Sequence, residues 1–547
     1  MFCVALVMLS FLTFLAHGHP RRQVSLQVDL GYSTYVGTSV AKGVNQWLGI
    51  RYATPPLGQL RFRKAQPPAY QKGVQKADTR GAVCMPTPST GLRDGYSEDC
   101  LFLDIYAPSR SSKHGHPVFV NFQGGGFNTL AAPTANGTSL VVASNYDIVV
   151  VTFNYRVGLW GFLASKEVSD DGDLNVGLLD QRLVLEWVQE YIHLFGGNPK
   201  HVTIAGASAG GASVDLHLSA YGGRDDGLFH AAAAESQSFG AQLTVAQSQY
   251  QYDHLVNRVG CNHSTDTLAC LRSVDVELLA TNNLIDLPTP GGAGGPPTYM
   301  FSNVIDDNFT TDYTYNLYAE GKFVKVPVIF GYVLLVALPS VSLLTGQRDD
   351  TNEGTIFTPK NINNLTAMNN FLKNNWVKLT SDQLAQIDIY WPKAQQFPDS
   401  GEYWRAAANA YGEMRYNCPG IYLSGQFPKY GVDSSWNYHW DVLDPDNAIS
   451  GYGVTHTSEF ASIWGSSSAP DSSLTPTIQG YWTSFIRSKD PNKYRLAGSP
   501  VWETFSALSQ QRIHFPNNVS AVGMENVPVD QAKRCAYASS IGVSINQ

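Results

Sequence analysis

The stretch from His201 to Ser213, HVTIAGASAGGAS, constrains the fold of this chain more than any other. His201 to Ala205 is short, apolar and β-branched, the pattern of a buried parallel strand. Gly206-Ala207-Ser208-Ala209-Gly210 then turns sharply into a helical run. In such a strand-turn-helix the residue at the tip holds a strained backbone, and Gly206 and Gly210 omit the Cβ atoms that would collide with neighbouring chains. Ser208 is thereby raised above the end of a sheet, where a hydroxyl can act as a nucleophile. Taken in isolation, the same five residues also describe a tight turn with a solvated serine. The surrounding chain separates the two.

Pro117 to Phe122 reads as a buried strand and runs into Gln123-Gly-Gly-Gly-Phe127. Three glycines after an apolar strand let the N–H groups of Gly125 and Gly126 converge with that of Ala209 on one point, an oxyanion hole for a tetrahedral intermediate. Ile148 to Phe153 is a further β-branched strand, followed by an amphipathic helix over roughly Gly177 to Leu194. Strand, helix, strand and then the serine turn is the alternation of βαβ units around a parallel sheet, so ligands are expected at the carboxyl ends of adjacent strands. Trp47 to Phe62, broken by Pro55-Pro56 and Gly58, reads as an irregular segment along the surface.

A hydrolytic serine needs a base and a carboxylate to orient that base. His439, His456 and His514 follow the candidate acid region; His456 lies in the glycine-containing loop GYGVTHTSEF, whereas His439, between Tyr438 and Trp440, reads as a packed strand residue. Asp349, Asp350 and Glu353 stand as near-equal candidates for the acid, downstream of a strand at Val326 to Phe330.

The net charge of -8 and pI near 5.9 argue against nucleic acid or an anionic membrane as partner. Met1 to Gly18 reads as a signal peptide without a basic n-region, and Arg21-Arg22 as a possible processing site that would trim residues 19–22. Residues 23–547 are expected to form one domain. Six cysteines remain after the leader. Cys84 pairs most simply with Cys100 and Cys261 with Cys270, leaving Cys418 and Cys535 as a third bridge or as buried thiols. Sequons at Asn136, Asn262, Asn308, Asn364 and Asn518 fit a secreted glycoprotein.

GIRYATPPLGQLRF, SEDCLFLDIYAP, GGGF, FNYRVGLWGFL, NVGLLDQR, GASAGG, TNEGTIF and GVTHTSEF occur in that order. From Val24 to about Cys535 the chain thus resembles a fungal type-B carboxylesterase, the family of cholinesterases and Candida rugosa-type lipases. The resemblance implies an α/β-hydrolase fold, a large and mostly parallel sheet flanked by helices, and an ester substrate with no metal or organic cofactor. It implies Ser208 as nucleophile, His456 as general base and then acid, and Glu353 as the carboxylate that orients the imidazole. It further implies oxyanion donors at Gly125, Gly126 and Ala209, and ion pairs Arg61 with Glu98 and Arg156 with Asp180 that hold loops. A serine near the acid falls at Ser236, although Gln237 stands where the family usually has glycine.

Cholinesterases carry an acidic residue before the nucleophile and a tryptophan in the first disulfide loop to bind a quaternary ammonium. Ala207 and the loop Met85 to Asp99, with Tyr96 its single aromatic, argue against a choline ester. That loop is also too polar to present much apolar surface to a lipid interface, so soluble esters are favoured over lipid. One stretch departs from the family. Joining Gly331 directly to Asp349 would restore its pattern, leaving Tyr332 to Arg348 as 17 extra residues, or 51 nucleotides. Gly-Tyr-Val can encode GTAYGT, Leu344-Thr345 the branch-like CTNAC, and Arg348 can begin with AG. A translated intron and a genuine apolar insertion are the two readings.

Overall fold

The computed structural model describes residues 23–40, 43–129, 135–333 and 354–547. An eleven-stranded sheet organises them. Its strands, in chain order, are β1 (Thr38–Val40), β2 (Val44–Arg51), β3 (Phe102–Pro108), β4 (His116–Phe122), β5 (Val149–Phe153), β6 (Gly197–Ala207), β7 (Ala231–Glu235), β8 (Val328–Val333), β9 (Ser435–Asp441), β10 (Gln511–Pro516) and β11 (Gly523–Asn526). In space they run β11-β10-β9-β8-β7-β6-β4-β5-β3-β2-β1. From β5 through β4, β6, β7, β8 and β9 to β10 every neighbour is parallel, while both flanks close with antiparallel partners. The sheet is mixed and mostly parallel, as expected.

Alternation along each strand sends side chains to two different cores. Val118, Val120 and Phe122 of β4, and Val202 and Ile204 of β6, pack on one face with Trp47, Trp187 and Phe195. Phe119, Ala205 and Ile329 point the other way, toward Trp436, Trp440, Trp482 and Phe485. The first four residues of β7 are buried alanines, and the fifth is the buried Glu235. Helix α1 (Val176–Tyr191) and helix α2 (Ala209–Gly223) follow from the amphipathic run and the serine turn read in the sequence.

Trp47 to Phe62 departs from the expectation of a surface segment. Its first five residues complete β2, and Trp47, Ile50, Tyr52 and Ala53 are all fully buried. The prolines break the chain only after the strand ends, so the break conceals an apolar, pairing stretch before it. All three cysteine pairs form disulfides, including Cys418–Cys535, which ties helix α3 (Cys418–Lys429) to helix α4 (Val529–Ile541) across 117 residues. The candidate leader, residues 19–22, Asp349, Asp350, Glu353 and residues 334–348 lie outside the described residues. Tyr332 and Val333, the first two residues of the extra stretch, complete β8 and are fully buried, in register with His439 and Trp440.

Candidate active site

Ser208 sits where β6 ends and α2 begins, with φ 61° and ψ −123°, a region that L-residues occupy only when the surroundings enforce it. Its N–H donates to the carbonyl of Glu235 at 2.9 Å, tying the turn to the end of β7. The enforcement is steric: a Cβ on Gly210 would stand 2.1 Å from the Phe122 carbonyl oxygen, and one on Gly206 2.5 Å from the Gly210 carbonyl carbon. Beside it, the chain leaving β4 turns through Gly124, Gly125 (φ 110°) and Gly126 (φ 62°). Carbonyls of this loop are held outward: Gly125 accepts from Asn128 and Thr129, and Gly126 accepts from the Asn128 side-chain amide. Among the described residues the N–H groups of Gly125, Gly126 and Ala209 donate to nothing, so three amide hydrogens remain available next to the serine.

A cavity of about 580 Å³ opens over this turn, and Ser208, Gly124, Gly125, Tyr299, Phe357 and His456 all line it. His456 is buried in the loop after β9, its ring held by Tyr416 at 4.2 Å and edge-on by Phe357 at 5.2 Å. Burial pulls the imidazole down to about 3; the nearby Glu459 carboxylate opposes this and Arg415 adds to it. The ring is therefore neutral at ordinary pH, the form that accepts a proton. His439 and His514, the other two candidates, do not line this cavity.

They belong instead to adjacent strands near one side of the sheet. Neighbours in the β9/β10 register, their rings stack at 4.7 Å, with His439 Nδ1 2.7 Å from Glu525 and His514 Nε2 3.0 Å from Asp441. His439, Asp441 and His514 have the spacing of metal ligands. Because the rings lie only 19° from parallel, their in-plane lone pairs run alongside one another instead of converging, and Glu525 and Arg512 already engage the cluster. It reads as a polar seam between strands.

The candidate acid Glu353 falls just before the described chain resumes at Gly354. The segment from Gly354 to Phe357 docks on the histidine loop: the Thr355 hydroxyl donates to the Tyr452 carbonyl at 2.9 Å, and Phe357 touches His456. Ser236, at the end of β7 with φ 47°, directs its hydroxyl to Glu459 Oε1 at 3.3 Å, and the Tyr438 hydroxyl donates to the same oxygen at 2.8 Å. Tyr438 reaches that far because its register partner is Gly331, where a Cβ would lie 1.8 Å from the phenol ring. Gln237, in the place of the family's glycine, fits by lying over Gly420 and donating to the Tyr416 carbonyl at 2.9 Å. Glu235 is fully buried, and burial together with Glu459 pushes its carboxyl up to about 8. Glu235, Glu459, Tyr299 and Arg415 have no role in the sequence reading. For Glu459 a signal is present, three residues after His456.

The model of the carboxylesterase family matches residues 26–534. The chain belongs to that family. As a carboxylesterase-family member it is a carboxylic ester hydrolase, and its fold matches Aspergillus niger EstA with a TM-score of 0.89 at 37% identity, over 96% of this chain and 99% of that one. Secreted lipase 4 of Gibberella zeae is 30% identical over 515 residues, 87% of this chain and 86% of the relative. Acetylcholinesterase of Bungarus fasciatus is 28% identical over 531 residues, 90% and 82% of the two chains. Lipase 4 of Diutina rugosa is 28% identical over 522 residues, 85% and 86%. Ion pairs implied by the family resemblance are present: Arg61 meets Glu98 at 2.6 Å and Arg156 meets Asp180 at 2.7 Å, all four side chains buried. They hold the loops framing the site.

Proposed function

We propose that this carboxylesterase is a secreted serine esterase that hydrolyses soluble carboxylic esters through an acyl-enzyme. The observation that carries the reading is one cavity lined by both Ser208 and His456, with three unoccupied amide hydrogens beside the serine. The neutral imidazole of His456 takes the Ser208 proton as the oxygen attacks the ester carbonyl. The oxyanion then forms against the N–H groups of Gly125, Gly126 and Ala209, one such donor being worth roughly 3 to 4 kcal/mol of barrier. His456 passes the proton to the departing alcohol, and water repeats the sequence to release the acid. Glu353 orients the imidazole and offsets its positive charge. Secretion is supported by three disulfides and by the exposure of all five sequon asparagines, Asn136, Asn262, Asn308, Asn364 and Asn518. Residues 1–18 would be the leader removed on export, and 23–547 the single catalytic domain.

Two relatives are named lipases, and a lipase is the second reading. The loop inside the first disulfide favours the esterase. Thr87 donates to Asn283 at 2.7 Å, Asn283 to the Pro86 carbonyl at 2.7 Å, and Leu92 N–H to Glu277 at 3.0 Å, so the loop is fastened to the body of the protein. A flap that must swing open at an oil surface would break these bonds. A chain-length series of p-nitrophenyl esters tests the proposal: wild-type protein turns over dissolved short-chain esters, and Ser208→Ala abolishes the turnover. A jump in rate above the solubility limit of the ester decides for the lipase, and equal rates in the two proteins refute serine catalysis.

A further inference from the structure

Four of the buried guanidinium groups among the described residues face carboxylates. Arg61 pairs with Glu98, Arg156 with Asp180, Arg272 with Asp171 and Arg512 with Glu525. Arg415 differs from these four. It is 7% exposed, its Nε donates to the Ser238 hydroxyl at 2.9 Å, and no carboxylate of the described residues reaches it. Aromatic faces meet its charge instead, Tyr299 at 5.1 Å, Tyr411 at 5.6 Å and Tyr416 at 5.9 Å. Such faces recover only part of the hydration a buried cation loses, which leaves the guanidinium able to attract an anion.

The group also has somewhere to receive one. Arg415 fronts a cavity of about 50 Å³ shared with Gly240, Ser248, Gln251, Tyr299 and Asn375. Its Nη2 and Nη1 stand 2.9 and 3.1 Å from where a Cβ on Gly240 would be, so the glycine leaves that edge of the fork uncovered. Arg415 lies in a π-helical turn, Glu413–Asn417, a distortion that recurs at functional sites because it re-aims side chains out of helical register. Tyr299 lines both this chamber and the catalytic cavity, and Tyr416 of the same turn packs on His456.

We propose that Arg415 and this chamber form a carboxylate-binding subsite beside the catalytic cavity. A carboxylate meets a guanidinium edge through two parallel hydrogen bonds. The space holds roughly three or four water-sized groups, the bulk of a carboxylate with its first carbon. Two sources supply that chemistry: an ester that bears a second, ionised carboxyl, or a free acid such as hydrolysis releases. The substrate source rests on the esterase reading above; binding itself does not.

Melting of the Ser208→Ala protein in sodium acetate and in sodium chloride of equal ionic strength tests the subsite without catalysis. Acetate raises the melting temperature above chloride, and adding Arg415→Gln removes the gain while Arg415→Lys restores part of it. Equal melting in the two salts, or a gain that survives Arg415→Gln, overturns the proposal. The source follows from kcat/KM for p-nitrophenyl hemiglutarate against p-nitrophenyl butyrate. A fall in that ratio of about tenfold or more on Arg415→Gln assigns the substrate's carboxylate; an unchanged ratio beside an intact acetate effect assigns the free acid. Should wild-type protein turn over neither ester, serine catalysis fails while the melting experiment still decides the subsite.

Discussion

Ser208 holds a backbone conformation that its neighbours impose, and a change confined to its side chain leaves that scaffold in place. Ser208→Ala is expected to lower kcat roughly 10⁴-fold or more with little change in melting temperature, measured on p-nitrophenyl butyrate and by thermal denaturation. His456 is held neutral by burial, so the acid limb of kcat/KM should lie well below the ordinary histidine range, with a flat profile from about pH 5 to 8. Arg415 disfavours the imidazolium and Glu459 favours it. Removing the positive charge with Arg415→Gln therefore moves the limb to higher pH and Glu459→Gln moves it lower, and pH-rate profiles of the two variants that shift the same way would refute this electrostatic account. Glu235 has the opposite linkage. Its carboxyl keeps a proton up to about 8 in the folded protein, while the unfolded chain releases it near the usual glutamate value. Over that window the unfolded state binds fewer protons, so stability falls as pH rises, by about 1 kcal/mol per unit from this group alone. Denaturant titrations at pH 5 and pH 7.5 should show a smaller difference for Glu235→Gln than for wild type.

At the scale of elements, legibility tracks locality. The serine turn and the glycine loop can be read because each needs particular residues within a few positions: Gly206 and Gly210 clear the Phe122 carbonyl, and Gly125 and Gly126 turn the chain out of β4. The helix after Phe153 and the strands around Ser208 are legible for the same reason, through period and β-branching. Contacts across the chain leave no such mark. Ser236 and Glu459 meet over a separation of 223 residues, and Arg415 enters the site through a π turn that no hydrophobic period announces. Trp47 to Arg51 escapes a local reading because the prolines beyond the buried strand dominate the punctuation of the whole stretch. The third disulfide is open in the sequence for want of any local spacing, yet it constrains the most chain. In the chain-entropy picture, losing Cys418–Cys535, with its separation of 117, costs about 4 to 5 kcal/mol, and losing Cys261–Cys270, with a separation of 9, about 2.5 kcal/mol. Denaturant midpoints of the corresponding double serine variants check the ordering.

Across the whole molecule, the parallel centre of the sheet delivers the ends of β4, β6, β7 and β8 to one side, and the cavity forms there. The extra stretch begins with Tyr332 and Val333, the last two residues of β8, and in the sequence it separates Gly331 from Glu353. Expressed without residues 332–348, the protein is expected to gain kcat/KM on p-nitrophenyl butyrate, because Gly331 then runs directly into Asp349 and the acid loop, whose first residues take the places of Tyr332 and Val333 beside β9. Transcript sequencing supplies an independent check, since coding sequence that runs uninterrupted through this segment refutes the intron reading. Beside that junction, Gly331 lies opposite Tyr438 and surrenders the volume its ring fills. The two positions are consequently not free to drift apart in descendants of this gene: a methyl group gained at 331 has to be answered by a smaller ring or none at 438, and the hydroxyl that steadies Glu459 would vanish from the lineage with it.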